Sequence, residues 1–299
     1  MIIHFVRFPF WVVICFCFAT SCSSVVALDA TIDHSDKAKC VAKIDKDKTI
    51  TVMQWNIGHF SKGKKEKSTV SDMSFTHNMN ELKDLLSQTD PDIISLNEYS
   101  LLFADTQNHP KCAADTLFFS SFPFEYIGNN SKQRHYCLNA VFSRFEFFQA
   151  ETKEYDANRM ASYAVSNGIK PEDYYFIQLH LTLFGEDVTF VSTHLAFDKN
   201  DDEVTQNQVK ELIKVLEDKD HIIICGDFNT MAANLSLFTQ HGYTLANDGA
   251  LTTYPSSSPN ASIDNIIVKG FDINCSRVIR SSLSDHLPIV CEISMKTEF

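Results

Sequence analysis

The chain predicts a single α/β domain built from two mixed β-sheets flanked by helices. Short apolar runs rich in β-branched and aromatic residues recur from residue 49 to the C-terminus, and they are separated by only a few stretches with helical spacing. So many strands bury their faces most readily as two mixed sheets with helices outside. A composition with 44% hydrophobic residues and 24 Phe excludes a disordered or fibrous chain, and no repeat, low-complexity tract or internal linker divides it. One domain of this size can hold a large core.

The N-terminal segment reads as an export signal rather than part of the fold. Arg7 precedes an apolar run, Phe8 to Ala19, that is too short to cross a bilayer comfortably, and small and polar residues follow it. Cleavage after Ala27 satisfies a small-residue rule. Cleavage before Cys22 gives a lipoprotein with an acylated cysteine, although Ala19 stands where such signals prefer Leu. Residues 1–28 are therefore expected to be the signal, 29–48 a polar tether and 49–299 the domain. Secretion, periplasmic location and a membrane-anchored lipoprotein through Cys22 all remain open. The Ser-Cys-Ser-Ser after the apolar run reads as bacterial, whereas Asn129, Asn234, Asn260 and Asn274 stand in sequons that matter in a eukaryotic secretory pathway.

Within the domain the first strand is expected over 49–55. Phe75, Met79, Leu82, Leu85 and Leu86 recur at helical spacing up to Asp90-Pro91, and residues 92–97 form a second buried strand. From residue 117 the pattern is mostly strand: 124–127, 140–142, 145–150, 175–183 and 188–194. A helix over 206–216 carries Val209, Leu212, Ile213 and Leu216 on one face. A strand follows over 221–226, Phe238 lies in a short helix, and 263–268 and 287–293 are the last two strands.

Four of these runs end in, or are broken by, polar islands: Asn56, Glu98, Asp227 with Asn229, and Asp285 with His286. Such islands just past buried strands build a polar pocket at one edge of a sheet. Oxygen and imidazole donors without a thiolate suit a hard divalent cation and an anionic substrate, which points to metal-dependent phosphoester hydrolysis. Asp227 and Asn229 alternate, so on an extended segment both would face the pocket; an Asx turn is the other use of that pair. Lys62, Lys64, Lys65 and Lys67, with Lys132, Arg134 and His135, form two basic loops that could steer a phosphate substrate or simply be solvated.

The formal charge of −12 argues against tight, static binding of nucleic acid by bulk electrostatics. Three of the nine cysteines fall in the signal region. Cys225 and Cys291 sit inside apolar runs as small hydrophobes, Cys112 and Cys137 lie in polar segments where they could pair after export, and no spacing is zinc-like.

Seven blocks in order carry a resemblance: MQWNIG (53–58), PDIISLNE (91–98), LNAVFSRF (138–145), STHL (192–195), GDFN (226–229), SIDNIIV (262–268) and SDHLPIV (284–290). Together they are similar to the endonuclease/exonuclease/phosphatase superfamily, whose DNase I-like fold is a four-layered α/β sandwich. The resemblance implies Mg²⁺ or Mn²⁺ held by Glu98 with Asn56 and Asp285. It implies Asp227 aligning or deprotonating the attacking water, Asn229 and His286 stabilising the developing charge, and Asp264 orienting His286. His194 matches a histidine that contacts the scissile phosphate in some members, Asn139 matches an asparagine near the pocket, and Arg159 could clamp a phosphate. One departure is Asn97, where the superfamily usually has Gln before the glutamate; it should affect the surroundings of the ion more than its ligands. The expected substrate is a phosphoester in nucleic acid, phospholipid or a small phosphodiester, with no obligate protein partner. The alternative is a surface binding domain that keeps the fold without the chemistry.

Overall fold

The computed structural model describes residues 49–58, 76–99, 113–128, 138–156, 174–197 and 203–296, all within one compact unit. The expected signal and tether, both basic loops, Arg159, Cys112 and Cys137 lie outside the described residues.

The described elements run β1 (Ile50–Asn56), α1 (Thr76–Thr89), β2 (Ile93–Tyr99), α2 (Ala113–Ser121), β3 (Phe124–Ile127), β4 (Leu138–Ser143), β5 (Phe147–Glu154), β6 (Tyr175–Leu183), β7 (Glu186–His194), α3 (Glu203–Val215), β8 (Ile222–Asp227), a 3₁₀ turn (Ala232–Leu235), α4 (Ser236–Gln240), β9 (Thr244–Leu245), β10 (Asp264–Lys269), β11 (Phe271–Val278) and β12 (Ile289–Met295). They form two six-stranded mixed sheets. The first has the order β11-β12-β1-β2-β4-β3 and the second β5-β6-β7-β8-β10-β9. In each sheet one central pair is parallel, β1 with β2 and β7 with β8.

The period-2 alternation of each strand divides its side chains between two apolar layers. Ile50 and Val52 of β1 join Ile93, Val141, Ile177, Leu179, Phe190, Ile223 and Ile266 in a layer between the sheets. Met53 and Trp55 face the other way, onto Met79, Leu82 and Leu85 of α1 and Phe118 of α2. The outer face of the second sheet buries Val191, Ile224 and Ile267 against Val209, Leu212 and Ile213 of α3 and Phe238 of α4. The layers therefore run helix, sheet, sheet, helix, the expected four-layered sandwich. α1 ends where Asp90 adopts a left-handed φ of 40° and donates its N–H to the Leu86 carbonyl at 2.8 Å, one residue before Pro91.

Three elements depart from expectation. β11 is a strand the pattern does not announce, so 263–268 and 287–293 are not consecutive strands. As the edge strand of its sheet, half-exposed along most of its length, β11 lacks clean alternation. The aromatic-rich stretch before β3 is helix α2, whose packing on the first sheet overrides its strand-like composition. The third is the 227–229 segment, which is not extended (below). Cys225 and Cys291 are buried free thiols, as their apolar runs indicate, and Cys275 is exposed.

Candidate active site

Along each central strand the inter-sheet layer turns from apolar to polar in the same direction. On β1, Ile50 and Val52 give way to Gln54 and Asn56; on β2, Ile93 gives way to Ser95 and Asn97; on β7, Val188 and Phe190 to Ser192 and His194; on β8, Ile223 and Cys225 to Asp227; and antiparallel β10 begins at Asp264 before Ile266. Two sheets with this gradient on facing surfaces make a polar pocket at one end of an apolar sandwich. Asn56 of the first sheet reaches across it, donating Nδ2–H to Asp227 Oδ2 of the second at 2.9 Å and to Glu98 Oε1 at 3.2 Å. Its Oδ1 accepts the Gly58 N–H at 3.0 Å.

β2 carries one extra residue here. Leu96 pairs with Ala140 and Tyr99 with Leu138, three steps on β2 against two on β4. Glu98 sits in this bulge with a φ of 52°, a left-handed conformation that non-glycine residues adopt rarely. The bulge breaks the alternation, so Tyr99 packs with the outer layer while Asn97 faces inward and the following Glu98 also reaches Asn56.

β8 stops at Asp227, and Asn229, at a φ of 51°, donates its N–H back to Asp227 Oδ1 at 2.9 Å. This is an Asx-type turn, so the two side chains are not placed by strand alternation. Asp227 thereby divides its oxygens: Oδ1 closes the turn, and Oδ2 faces Asn56, His194 Nε2 at 3.6 Å and His286 Nε2 at 3.8 Å. The Asn229 amide donates to the Leu195 carbonyl at 2.8 Å, and the Leu195 N–H donates to the Asp227 carbonyl at 2.9 Å. The ends of β7 and β8 are laced together.

His286 stands between two carboxylates. Its Nδ1–H donates to Asp264 Oδ2 at 2.9 Å, and the same oxygen accepts the Thr253 hydroxyl at 2.6 Å. Tyr254 packs on the imidazole with ring centroids 4.7 Å apart. Burial alone would lower the imidazole's pKa, but the charges of Asp264 and Asp227, helped by the Asp264 hydrogen bond, outweigh it and raise His286 to about 10. Burial pushes the Asp264 carboxyl up, opposed by His286 and reinforced by Asp227. The pair therefore holds one proton across the neutral range. Asp285, next in the chain, points the other way: its Oδ1 lies beside Gly58, where a Cβ would come within 2.7 Å, and takes a 3.3 Å hydrogen bond from Ser284.

The donor set fits a divalent cation. Glu98 and Asp285 are half-buried carboxylates, and no described thiol joins the site, so it offers the oxygen donors that Mg²⁺ and Mn²⁺ prefer. Among the described residues Asp227, Asp264 and His286 also have ligand atoms within 4.8 Å of one another. Asp264 Oδ2 already accepts two hydrogen bonds there, which makes this buried trio better suited to holding a proton than to coordination.

Of the ten residues expected from the sequence, Asn56, Glu98, His194, Asp227, Asn229, Asp264, Asp285 and His286 line or edge the pocket. Asn139 lies beneath it, buried, its oxygen accepting from Asn97 and its nitrogen donating to the Tyr175 carbonyl. Arg159 is outside the described residues. Sequence reasoning missed Gln54, Thr253, Tyr254 and Ser284. Gln54 and Ser284 had a signal, each being polar within or beside an apolar run; Thr253 and Tyr254 sit in a loop whose pattern carries none. A cavity of about 520 Å³ lies elsewhere, at the starts of β7 and β8, lined by His180, Asp187, Asp218 and His221 among others. None of the polar islands reaches it, and the site chemistry does not depend on it.

The model of the Endonuclease/Exonuclease/phosphatase family matches residues 53–286. No curated protein matches the chain in sequence. Solved structures with the same fold include a D. rerio TDP2 humanized by 14 mutations, with a TM-score of 0.60 at 13% identity over 83% of this chain and 99% of that one. The human Nocturnin catalytic domain with bound sulfate anion gives 0.60 at 17% identity, over 83% and 94%. A family protein from Bacteroides thetaiotaomicron gives 0.58 at 15%, over 84% and 99%.

Proposed function

The chain belongs to the Endonuclease/Exonuclease/phosphatase family, whose enzymes hydrolyse phosphoesters, and on that premise we propose that it is an exported, Mg²⁺- or Mn²⁺-dependent phosphoester hydrolase. The observation that carries the reading is His286 held between Asp264 at 2.9 Å and Asp227 at 3.8 Å, in a buried pocket at the end of both sheets.

In this reading water attacks phosphorus in line with the ester oxygen, and the P–O bond to the leaving group breaks as the new one forms. Asp227 Oδ2 orients the water and takes its proton. His286, kept protonated by Asp264, donates from Nε2 to a non-bridging oxygen as negative charge builds there. Asn229 adds a second donor, and His194 supplies a proton to the leaving oxygen. Glu98 and Asp285 would hold the cation, while Asn56 fixes Glu98 and Asp227 relative to each other. The cation, when bound, neutralises charge on the phosphate and leaving oxygen.

Substrate and location extend the proposal. A D. rerio TDP2 has been solved with a single-strand DNA product, which puts nucleic acid on the panel beside phospholipids and small diesters. The Phe8–Ala19 run supports export, and fractionation of wild type against Cys22→Ser tests lipid attachment. The test of function is hydrolysis by residues 29–299 of single- and double-stranded DNA, RNA, bis-p-nitrophenyl phosphate, sphingomyelin and inositol phosphates. Each is run with Mg²⁺, Mn²⁺ or EDTA, and with His286→Ala. Metal-dependent turnover lost in the variant is expected. A folded protein silent on the whole panel favours the binding-domain alternative.

A further inference from the structure

We propose that Asn97 is a positioning residue for catalysis: one buried amide that fixes Asp227, His194 and Glu98 against one another across the two sheets. The proposal rests on the phosphoesterase reading above and names a member of its machinery that never meets the substrate, because Asn97 is 0% exposed.

All four hydrogen-bonding valences of the side chain are used, and they run to four different strands. Oδ1 accepts the backbone N–H of Asp227 on β8 at 2.9 Å and the Gln54 amide on β1 at 2.6 Å. Nδ2 donates to the Thr193 carbonyl on β7 at 2.9 Å and to Asn139 Oδ1 on β4 at 2.8 Å. Two of these bonds cross from one sheet to the other and end on, or next to, residues of the site. The Asp227 amide sets where that carboxylate begins, and the Thr193 carbonyl precedes His194. Asn97 thus ties together the two backbone segments whose side chains, Asp227 Oδ2 and His194 Nε2, stand 3.6 Å apart. Asn97 also opens the bulge that turns Glu98 into a left-handed φ of 52°. A conformation so rarely adopted persists only where its surroundings over-determine it, and the four bonds of the preceding residue do so.

Stability alone would be served by a simpler contact, and one step deeper on β2 the chain uses one. Ser95 Oγ meets Ser192 Oγ at 2.8 Å, also between the sheets and also buried, but among the described residues it makes no hydrogen bond to a residue of the site. Ser95→Ala is therefore the structural control.

The experiment compares full-length wild type, Asn97→Ala, Asn97→Asp and Ser95→Ala. Three quantities are read: thermal midpoint, kcat and KM on the best phosphodiester well below that midpoint, and hydrogen exchange of the Asp227 amide by NMR in the metal-free protein. Asn97→Asp keeps the acceptor for that amide and loses both donors, and it stands in if Asn97→Ala does not fold. Asn97→Ala is expected to lose kcat by about 10- to 100-fold with KM little changed, and to lose protection of the Asp227 amide. Asn97→Asp should retain that protection and still lose kcat. Ser95→Ala should lower only the thermal midpoint. Unchanged kcat in both Asn97 variants, or an Asp227 amide as protected in Asn97→Ala as in wild type, overturns the proposal. If wild type hydrolyses nothing, the phosphoesterase reading fails on its own, and the exchange measurement alone decides whether Asn97 fixes Asp227.

Discussion

Asp264 gives His286 its proton partner through Oδ2 at 2.9 Å, while its other oxygen, also buried, has no hydrogen-bond partner among the described residues. A buried carboxylate so incompletely paired is costly, and its main compensation is the imidazolium beside it.

That relationship fixes a titration. In metal-free protein His286 should titrate at about 10, against an ordinary 6.5. Because the folded value lies above the unfolded one, the stabilisation is fully present below about pH 6.5 and is lost as pH rises through about 10. NMR of the imidazole should show the high value in wild type and a fall toward normal in Asp264→Asn. Thermal midpoints should decline between those pH limits in wild type and less in the variant. A wild-type His286 that titrates near its ordinary value would remove the ion pair from the site.

Glu98→Gln keeps the shape of the side chain and its place in the bulge but removes one negative charge from the mouth of the pocket. Turnover at a fixed, sub-saturating Mg²⁺ should fall on the order of 10²-fold, with partial recovery at high Mg²⁺. Calorimetric Mg²⁺ titration should show weaker binding. Equal Mg²⁺ affinity in variant and wild type would take Glu98 out of the ligand set.

Gly58 has a φ of 47°, and a Cβ there would stand 2.7 Å from Asp285 Oδ1. Gly58→Ala is both strained and obstructed, and the atom obstructed is one proposed to face the cation. The expected result is a folded protein with a modestly lower thermal midpoint and at least a ~10-fold loss of metal-dependent activity. Wild-type activity in this variant would place Asp285 outside the working site.

Phe190 is fully buried in the layer between the sheets, away from the polar end. Phe190→Ala should destabilise the protein by about 3–5 kcal/mol in urea unfolding, while the folded fraction keeps its kcat. A loss below ~1 kcal/mol would mean that the two sheets are not packed face to face at that point.

The sequence by itself determined the architecture and marked most of the polar residues that gather at one end of the two sheets. Strand alternation and helical spacing are local periodicities, and they placed the layers: the strands over 124–127 and 175–183 have the bounds their pattern predicts. The change from apolar to polar at strand ends likewise marked Asn56, Glu98, Asp227 and His286 without reference to any other part of the chain. It failed where tertiary packing outweighs local pattern, at edge strand β11 and at helix α2.

Only the tertiary structure decided how those residues work together. Asn56 meets Asp227 across 171 residues, and Asn97 meets the Asp227 amide across 130; no local period encodes distances of that kind. The assignment of one Asp227 oxygen to the Asx turn and the other to the pocket, the bulge that lets adjacent residues Asn97 and Glu98 both face the polar end, and the Thr253 bond to Asp264 all follow from register between strands. Register is settled by the packing of the two sheets as a whole, which is why a sequence can name the members of such a site and leave their geometry to the fold.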